Sequence, residues 1–204
     1  MRKQPRQARS RATLEAILTA GAQVLGEVGW SKFTTNRVAE IAGVSIGSLY
    51  QYFPDKTVLV EAITRRHFDD VLNVLREIDG GELPLEVRTE RLVAGMIEIH
   101  GSNPRLHQVL LRDAAASNEL YATHIEFEAE YFRRYESFVG AARGRGDELD
   151  RKKVAEVLSS AIAGVIHDAA ARGTLGSEQL RQELIAIVLA YVRHREGQLR
   201  IRCG

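Results

Sequence analysis

Residues 34–56, TTNRVAEIAGVSIGSLYQYFPDK, constrain the fold of this 204-residue chain more than any other stretch. Thr35 carries a hydroxyl suited to cap a short helix, whose apolar side follows in Val38, Ala39, Ile41 and Ala42. Gly43 stops that helix, because the turn calls for a positive φ that glycine adopts without steric penalty. Val44 then points back toward a core, Ser45 caps a second helix, and Leu49 and Phe53 form its buried stripe. The remaining positions, Ser45, Ile46, Gly47, Ser48, Tyr50, Gln51 and Tyr52, leave one face with donors and acceptors and almost no charge. A merely solvated helix would carry Lys and Glu there. Pro54 ends it, and Asp55 caps a further helix that opens with the cation Lys56. Two short helices around a tight turn, the second with a polar uncharged face, are the grammar of a DNA-reading helix-turn-helix.

The stretch 17–59 resembles the DNA-binding domain of TetR-like (tetracycline-repressor-like) transcriptional regulators. Ile17, Leu18, Ala20, Leu25, Gly29 and Trp30 fit that family's first helix and its exit. Thr34-Thr35, Val38-Ala39, Ile41-Ala42-Gly43-Val44-Ser45, Gly47-Ser48-Leu49-Tyr50, Tyr52-Phe53, Lys56 and Leu59 fit the rest. Gly21 stands where the family usually has alanine, and Ile46 where a polar or basic residue is common. On this reading Thr35, Tyr50, Tyr52 and Lys56 hold phosphates while Ser45, Ile46, Gly47, Ser48 and Gln51 face base edges.

Charge is distributed to match. The whole chain carries +1, yet residues 1–56 hold eight Lys/Arg against four Asp/Glu, a net +4 that leaves −3 for the remainder. A basic patch confined to the module with the motif supplies attraction to phosphate through counterion release. Cys203 is the single cysteine, which removes an intrachain disulfide and a Cys-based metal site from consideration. The basic N-terminus is followed by the amphipathic TLEAILTAGAQVL rather than by an unbroken apolar core, so no signal peptide is expected. The longest apolar run, 184–192, is far short of the ~20 residues of a membrane-spanning helix. These features lead to the expectation of a soluble cytoplasmic protein without a membrane partner.

Apolar spacing of three and four residues runs along the chain with no convincing period-2 segment, which predicts an all-α fold. Nine helices are expected, at about 9–29, 35–43, 45–52, 55–78, 84–101, 104–114, 118–143, 150–173 and 177–196, punctuated by glycine clusters and by Pro54, Pro84 and Pro104. Residues 1–8 lack an apolar face and read as a disordered basic arm, either a solubilising tail or, with Arg6, Arg9 and Arg11, an auxiliary DNA contact. Residues 9–56 form a three-helix DNA-binding domain and 57–204 a larger helical domain for ligand binding and dimerisation.

The last two helices carry apolar residues around more of their circumference than one core needs, so a second buried face is expected. The family resemblance assigns these helices to a four-helix dimer interface, with Val154, Leu158, Ala161, Ile162, Val165, Leu184, Ile187, Val188 and Tyr191 as its candidates. The alternative is a central place in a monomeric bundle. In the middle helices Met96, His100, His107, Leu110, Tyr121, His124, Phe127, Glu128, Tyr131 and His167 mix apolar bulk with polar tips, the chemistry of a small-molecule pocket. Each also has a plain reading as core or surface. His124 and Glu128 are spaced i, i+4, but no His-Cys cluster supports them, so neither a metal nor another cofactor is expected. No phosphate loop, reactive thiol or catalytic triad stands out. The expectation is therefore not an enzyme but a homodimeric repressor on a palindromic double-stranded DNA operator, released by an unidentified small-molecule effector. A ligand-independent or activating regulator, or an architectural DNA binder, would share the same front end.

Overall fold

The structure is a computed structural model that describes residues 4–79, 83–113, 118–140 and 148–202, with side chains described for 8–79, 83–111, 120–140 and 151–194. Arg2, Lys3, the expected helix end at 141–143 and Cys203 lie outside the described residues, as does the side chain of Arg6. Among the described residues there are nine α-helices and no strand: α1 Gln4–Lys32, α2 Thr35–Ala42, α3 Ile46–Tyr52, α4 Lys56–Glu77, α5 Leu85–Ser102, α6 Leu106–Asp113, α7 Asn118–Gly140, α8 Glu148–Arg172 and α9 Glu178–Arg202. The segment expected to be a disordered arm is helical from Gln4 onward. Gln, Arg and Ala are good helix formers, and they extend a helix that packing has already nucleated further along.

The chain divides into two compact units, Met1–His67 with Arg105–His124, and Phe68–Pro104 with Ile125–Gly204. The first unit is thus longer than the 9–56 expected, and it takes in α6, which packs on α1. Ile17, Val24 and Leu25 of α1, Val38 of α2, Leu49 of α3 and Leu59 of α4 are buried in its core. Gly29 interrupts α1 with φ 70 and ψ 173, a backbone that only glycine adopts easily, and the kink lets Phe33 turn inward and become buried. A Cβ at Gly21 would lie 2.6 Å from Cδ1 of Ile63, so the Ile63 side chain of α4 rests directly on the backbone of α1 there.

In the second unit α5 packs against α8 and α9, which also pack on each other. Val154, Leu158, Ile162 and Ile166 of α8 and Leu184, Val188 and Val192 of α9 are buried. Residues 151–172 are long and apolar enough to cross a membrane by length and composition alone, yet this is the helix whose inner face builds the core. Arg88 is buried at 2 % exposure: Nε donates to the Ile78 carbonyl at 2.8 Å, Nη2 donates to the Phe138 carbonyl at 3.1 Å, and the guanidinium lies 4.8 Å from the Phe138 ring centre. It therefore donates to carbonyls near the ends of α4 and α7, where a helix leaves acceptors to be satisfied from outside. Beside it Asp79 accepts from Arg134 and Ser137, and Glu130 accepts from Arg76 at 3.1 Å. The charged run 126–134, expected as a solvated face with i, i+4 pairs, does contain the Arg134–Glu130 pair but also ties α7 to the end of α4.

Candidate nucleic-acid interface

The second helix of the motif is built from its caps outward. Ser45 sits in extended backbone before α3, and its Oγ accepts from the Ser48 N–H at 3.1 Å, with the two serine hydroxyls 2.9 Å apart. Gly43 adopts φ 66 and ψ 31 and closes α2, with the Val44 N–H donating to the Ala39 carbonyl at 3.0 Å, so the turn uses a left-handed residue as expected. Asp55 caps α4 by accepting from the Val58 N–H at 2.9 Å. Leu49 is fully buried and Phe53 nearly so, while Ser45, Ile46, Gly47, Tyr50 and Gln51 are exposed and Ser48 half-buried. Most of the face that carries the expected base contacts is thus turned to solvent, with the Gln51 amide and the Ile46 side chain outward.

Thr34 and Ile41 depart from the expectation for this segment, and the phosphate candidates also have partners inside the unit. Thr34, not Thr35, is the N-cap of α2: its backbone is extended and its Oγ1 accepts from the Arg37 N–H at 3.4 Å. Thr35 instead pairs its hydroxyl with the Tyr50 phenol at 3.1 Å, linking α2 to α3. Ile41, expected in the apolar side of α2, is 42 % exposed; an eight-residue helix has room for one buried stripe, and Val38 and Ala39 fill it. Tyr52 and Lys56 are engaged within the unit. The Tyr52 hydroxyl lies 3.0 Å from Ser10 Oγ, and Lys56 Nζ donates to the Trp30 carbonyl at 2.6 Å while lying 4.2 Å from the indole centre. The cation on the indole face and its hydrogen bond to the Trp30 carbonyl hold the exit of α1 against the start of α4.

The ten ligand candidates fall into two sets. His107, Leu110, Tyr121 and His124 belong to the first unit, and Met96, His100, Phe127, Glu128, Tyr131 and His167 to the second. In the second unit His100 donates Nδ1–H to the Met96 carbonyl at 2.8 Å, and its ring centre is 5.0 Å from that of His167. Burial pushes the His167 imidazole down to about 4, aided by the nearby His100, and burial lowers His100 as well. Phe68, Phe127, Tyr131 and Tyr135 form an aromatic ladder with centre distances of 4.0, 5.3 and 4.9 Å along it. Burial pushes the Tyr131 phenol up to about 12 and Tyr135 higher too, so both remain protonated donors. In the first unit Tyr121 is 56 % exposed, whereas His107 is buried with Nδ1 2.8 Å from Nε2 of His67. His67 and Arg88 had no local signature in the sequence, because their partners lie 40 residues or more away or on neighbouring helices.

The dimer candidates need a larger correction. Val154, Leu158, Ile162, Leu184 and Val188 are exposed by 2 % or less within one chain, so they belong to the subunit core and not to an interface. Both faces of α8 and α9 are apolar, and periodicity alone does not say which faces inward. What remains on the outside is Val157, Ala161 and Gly164 on α8 with Ala186, Ile187 and Ala190 on α9, flanked by half-buried Val165 and Tyr191. Val157 is 47 % and Ile187 52 % exposed.

A basic helical unit whose capped, uncharged α3 face is exposed, joined to a larger helical unit, defines a DNA-binding regulator of the helix-turn-helix class. The chain belongs to the TetR family: residues 17–63 match the model of bacterial regulatory proteins, tetR family, and residues 84–191 that of the tetracyclin repressor-like C-terminal domain. It is 30 % identical over 84 residues to the nucleoid occlusion factor SlmA of Haemophilus ducreyi, covering 41 % of this chain and 42 % of that one. It is 33 % identical over 82 residues to the HTH-type transcriptional repressor KstR2 of Rhodococcus jostii, covering 40 % of each. The match thus spans about two fifths of the length of these relatives. The fold is that of a TetR-family regulator from Rhodococcus sp., with TM-score 0.70 and 24 % identity over 88 % of this chain and 98 % of that one.

Proposed function

We propose that this regulator works as a homodimer that binds a palindromic operator, represses transcription there and is released by a small molecule held in its second unit. The observation that carries the DNA end is α3 itself, a capped helix with Leu49 buried and Ser45, Ile46, Gly47, Tyr50 and Gln51 exposed. Gln51 pairs bidentately with adenine, Ile46 touches a thymine methyl, and Gly47 allows close approach of the backbone. Tyr50 and Tyr52 act in this reading first by steadying α3, and Thr35 and Lys56 by steadying its neighbours, with phosphate contact secondary.

One short helix reads few base pairs, so two copies on half-sites ~34–36 Å apart are needed for specificity. The outward apolar stripe of α8 and α9 supports the dimer, since it would otherwise leave Val157 and Ile187 in water. The paired neutral imidazoles of buried His100 and half-buried His167 support a neutral or anionic effector able to accept or donate hydrogen bonds. Such an effector releases DNA by binding one dimer geometry better than the other. No catalytic step or cofactor enters this account, and a cytoplasmic location follows from access to DNA.

A second reading keeps the DNA end and changes the output: one set of relatives is named for nucleoid occlusion, not for transcription. A mobility-shift assay on the protein's own upstream DNA, combined with transcript levels in a deletion strain, separates the two. DNA binding with altered transcripts supports repression, DNA binding with unaltered transcripts supports the second reading, and no sequence-selective binding overturns both.

A further inference from the structure

The first turns of α1 carry a cluster of positive charge that the reading of α3 does not use. Residues 1–14 contain five Lys/Arg and no acidic residue. Arg11 and Glu15 have the i, i+4 spacing of a helical ion pair, yet Glu15 reaches instead to Nη1 of Arg66, 3.0 Å away on α4. Arg9 and Arg11 are exposed, and neither forms an ion pair among the described residues. Between them Ser10 is tied to α3: its Oγ lies 3.0 Å from the Tyr52 hydroxyl, which also points at the Ser10 carbonyl at 3.4 Å. The basic turns are therefore helical and fastened to the last residue of the helix that faces DNA.

We propose, building on the DNA-binding reading, that these turns form a second, sequence-independent DNA contact, in which Arg9 and Arg11 neutralise phosphates of the duplex flanking each half-site. The Ser10–Tyr52 hydrogen bond sets where this flank contact falls relative to α3. A helix rises 1.5 Å per residue, so the run from Gln4 to the first fully buried residue, Ile17, is about 20 Å long. That length spans about six phosphates along one strand at ~3.4 Å each. Fixing it by a hydrogen bond removes the ordering cost that a disordered arm would bear on binding. The partner is the phosphodiester backbone, so the contact adds affinity and footprint without adding a base preference.

The test uses the full chain and a duplex enriched by it from random-sequence DNA. Affinity is measured on the bare enriched core and on the same core extended by eight arbitrary base pairs at each end, at several salt concentrations. The expected result is tighter binding to the extended duplex by wild type and loss of that gain in Arg9→Ala/Arg11→Ala. Its salt slope falls by up to about 3.6, at ~0.9 per phosphate for two arginines in each of two subunits. Arg9→Lys/Arg11→Lys retains most of the gain, and Tyr52→Phe, which loses the hydrogen bond to Ser10, reduces it. Equal binding to bare and extended duplexes by wild type, or an undiminished gain in Arg9→Ala/Arg11→Ala, overturns the flank contact. Failure of wild type to enrich any duplex overturns the DNA-binding reading itself, a separate outcome.

Discussion

Ser45 separates folding from reading. Its Oγ accepts from the Ser48 N–H at 3.1 Å, which makes it the side-chain cap of a seven-residue helix too short to be stable by itself. Ser45→Ala removes that acceptor and is expected to cost about 1 kcal/mol, within a range of about 0.5–2 for lost caps. For a chain of this size that is a fall in Tm of about 2–4 °C. Ser45→Asp keeps the cap, because aspartate accepts from the same N–H and favours a helix start, so its stability is expected to match wild type within about 0.5 kcal/mol. The same residue is exposed at the face proposed to meet DNA. A carboxylate ~7 Å from a phosphate is repelled by ~0.6 kcal/mol even at the dielectric of water, and two or three phosphates act together. Binding by Ser45→Asp is therefore expected to weaken about tenfold or more per half-site, whereas Ser45→Ala loses little affinity once folded. Urea denaturation and DNA titration on the same preparations read the two effects. Equal destabilisation by both substitutions would refute the capping argument, and wild-type affinity in Ser45→Asp would refute the placement of this face on DNA.

Three further outcomes follow from the packing. A Cβ at Gly95 would lie 2.7 and 2.8 Å from the two methyls of Val74, a side chain stiff at χ1, so Gly95→Ala is expected to destabilise by about 1–2 kcal/mol despite the gain in helix propensity. Gly101→Ala on the same helix meets nothing within 4 Å and is expected to stabilise by up to about 1 kcal/mol; equal urea midpoints for the two would contradict this packing. Ile187→Glu, on a side chain 52 % exposed, is expected to leave the subunit folded by circular dichroism and to shift sedimentation from dimer to monomer, and a persistent dimer would remove α9 from the interface. His167 is held down at about 4 against an ordinary 6.5, so the unfolded chain binds the extra proton between those values. Its contribution is present above pH 6.5 and is lost as pH falls toward 4; His167→Gln is expected to flatten that part of the pH–stability curve, and an unchanged curve would place the titration elsewhere.

Helix limits were legible because their causes are local. Ser45, Asp55, Gly43 and Pro54 act within a few residues, and each stands at the boundary where its chemistry places it. The adjacent threonines illustrate the limit of that logic: either hydroxyl can cap α2, and only the extended backbone at Thr34 decides. The face of α3 could be read because its lack of charge is unusual on an exposed helix. What the same face does internally could not, since Tyr50 with Thr35 and Tyr52 with Ser10 are tertiary pairs joining residues 15 and 42 apart. In α8 and α9 the amphipathic signal vanished because one apolar stripe builds the core and another lies outside. The residues with the strongest apolar spacing, such as Leu158 and Val188, proved to be the inner ones. Arg88 and the His67–His107 pair were invisible for the same reason, as their meaning depends on carbonyls and rings supplied by other helices.

The central claim is that α3, in two copies, selects the DNA sequence. Enrichment of bound duplexes from random DNA by wild type and by Gln51→Ala tests it most directly. The account predicts a two-fold symmetric consensus for wild type and the loss of preference at one position in each half-site for Gln51→Ala, worth about 1–3 kcal/mol there. A consensus without symmetry, or one that Gln51→Ala leaves unchanged at every position, would contradict it.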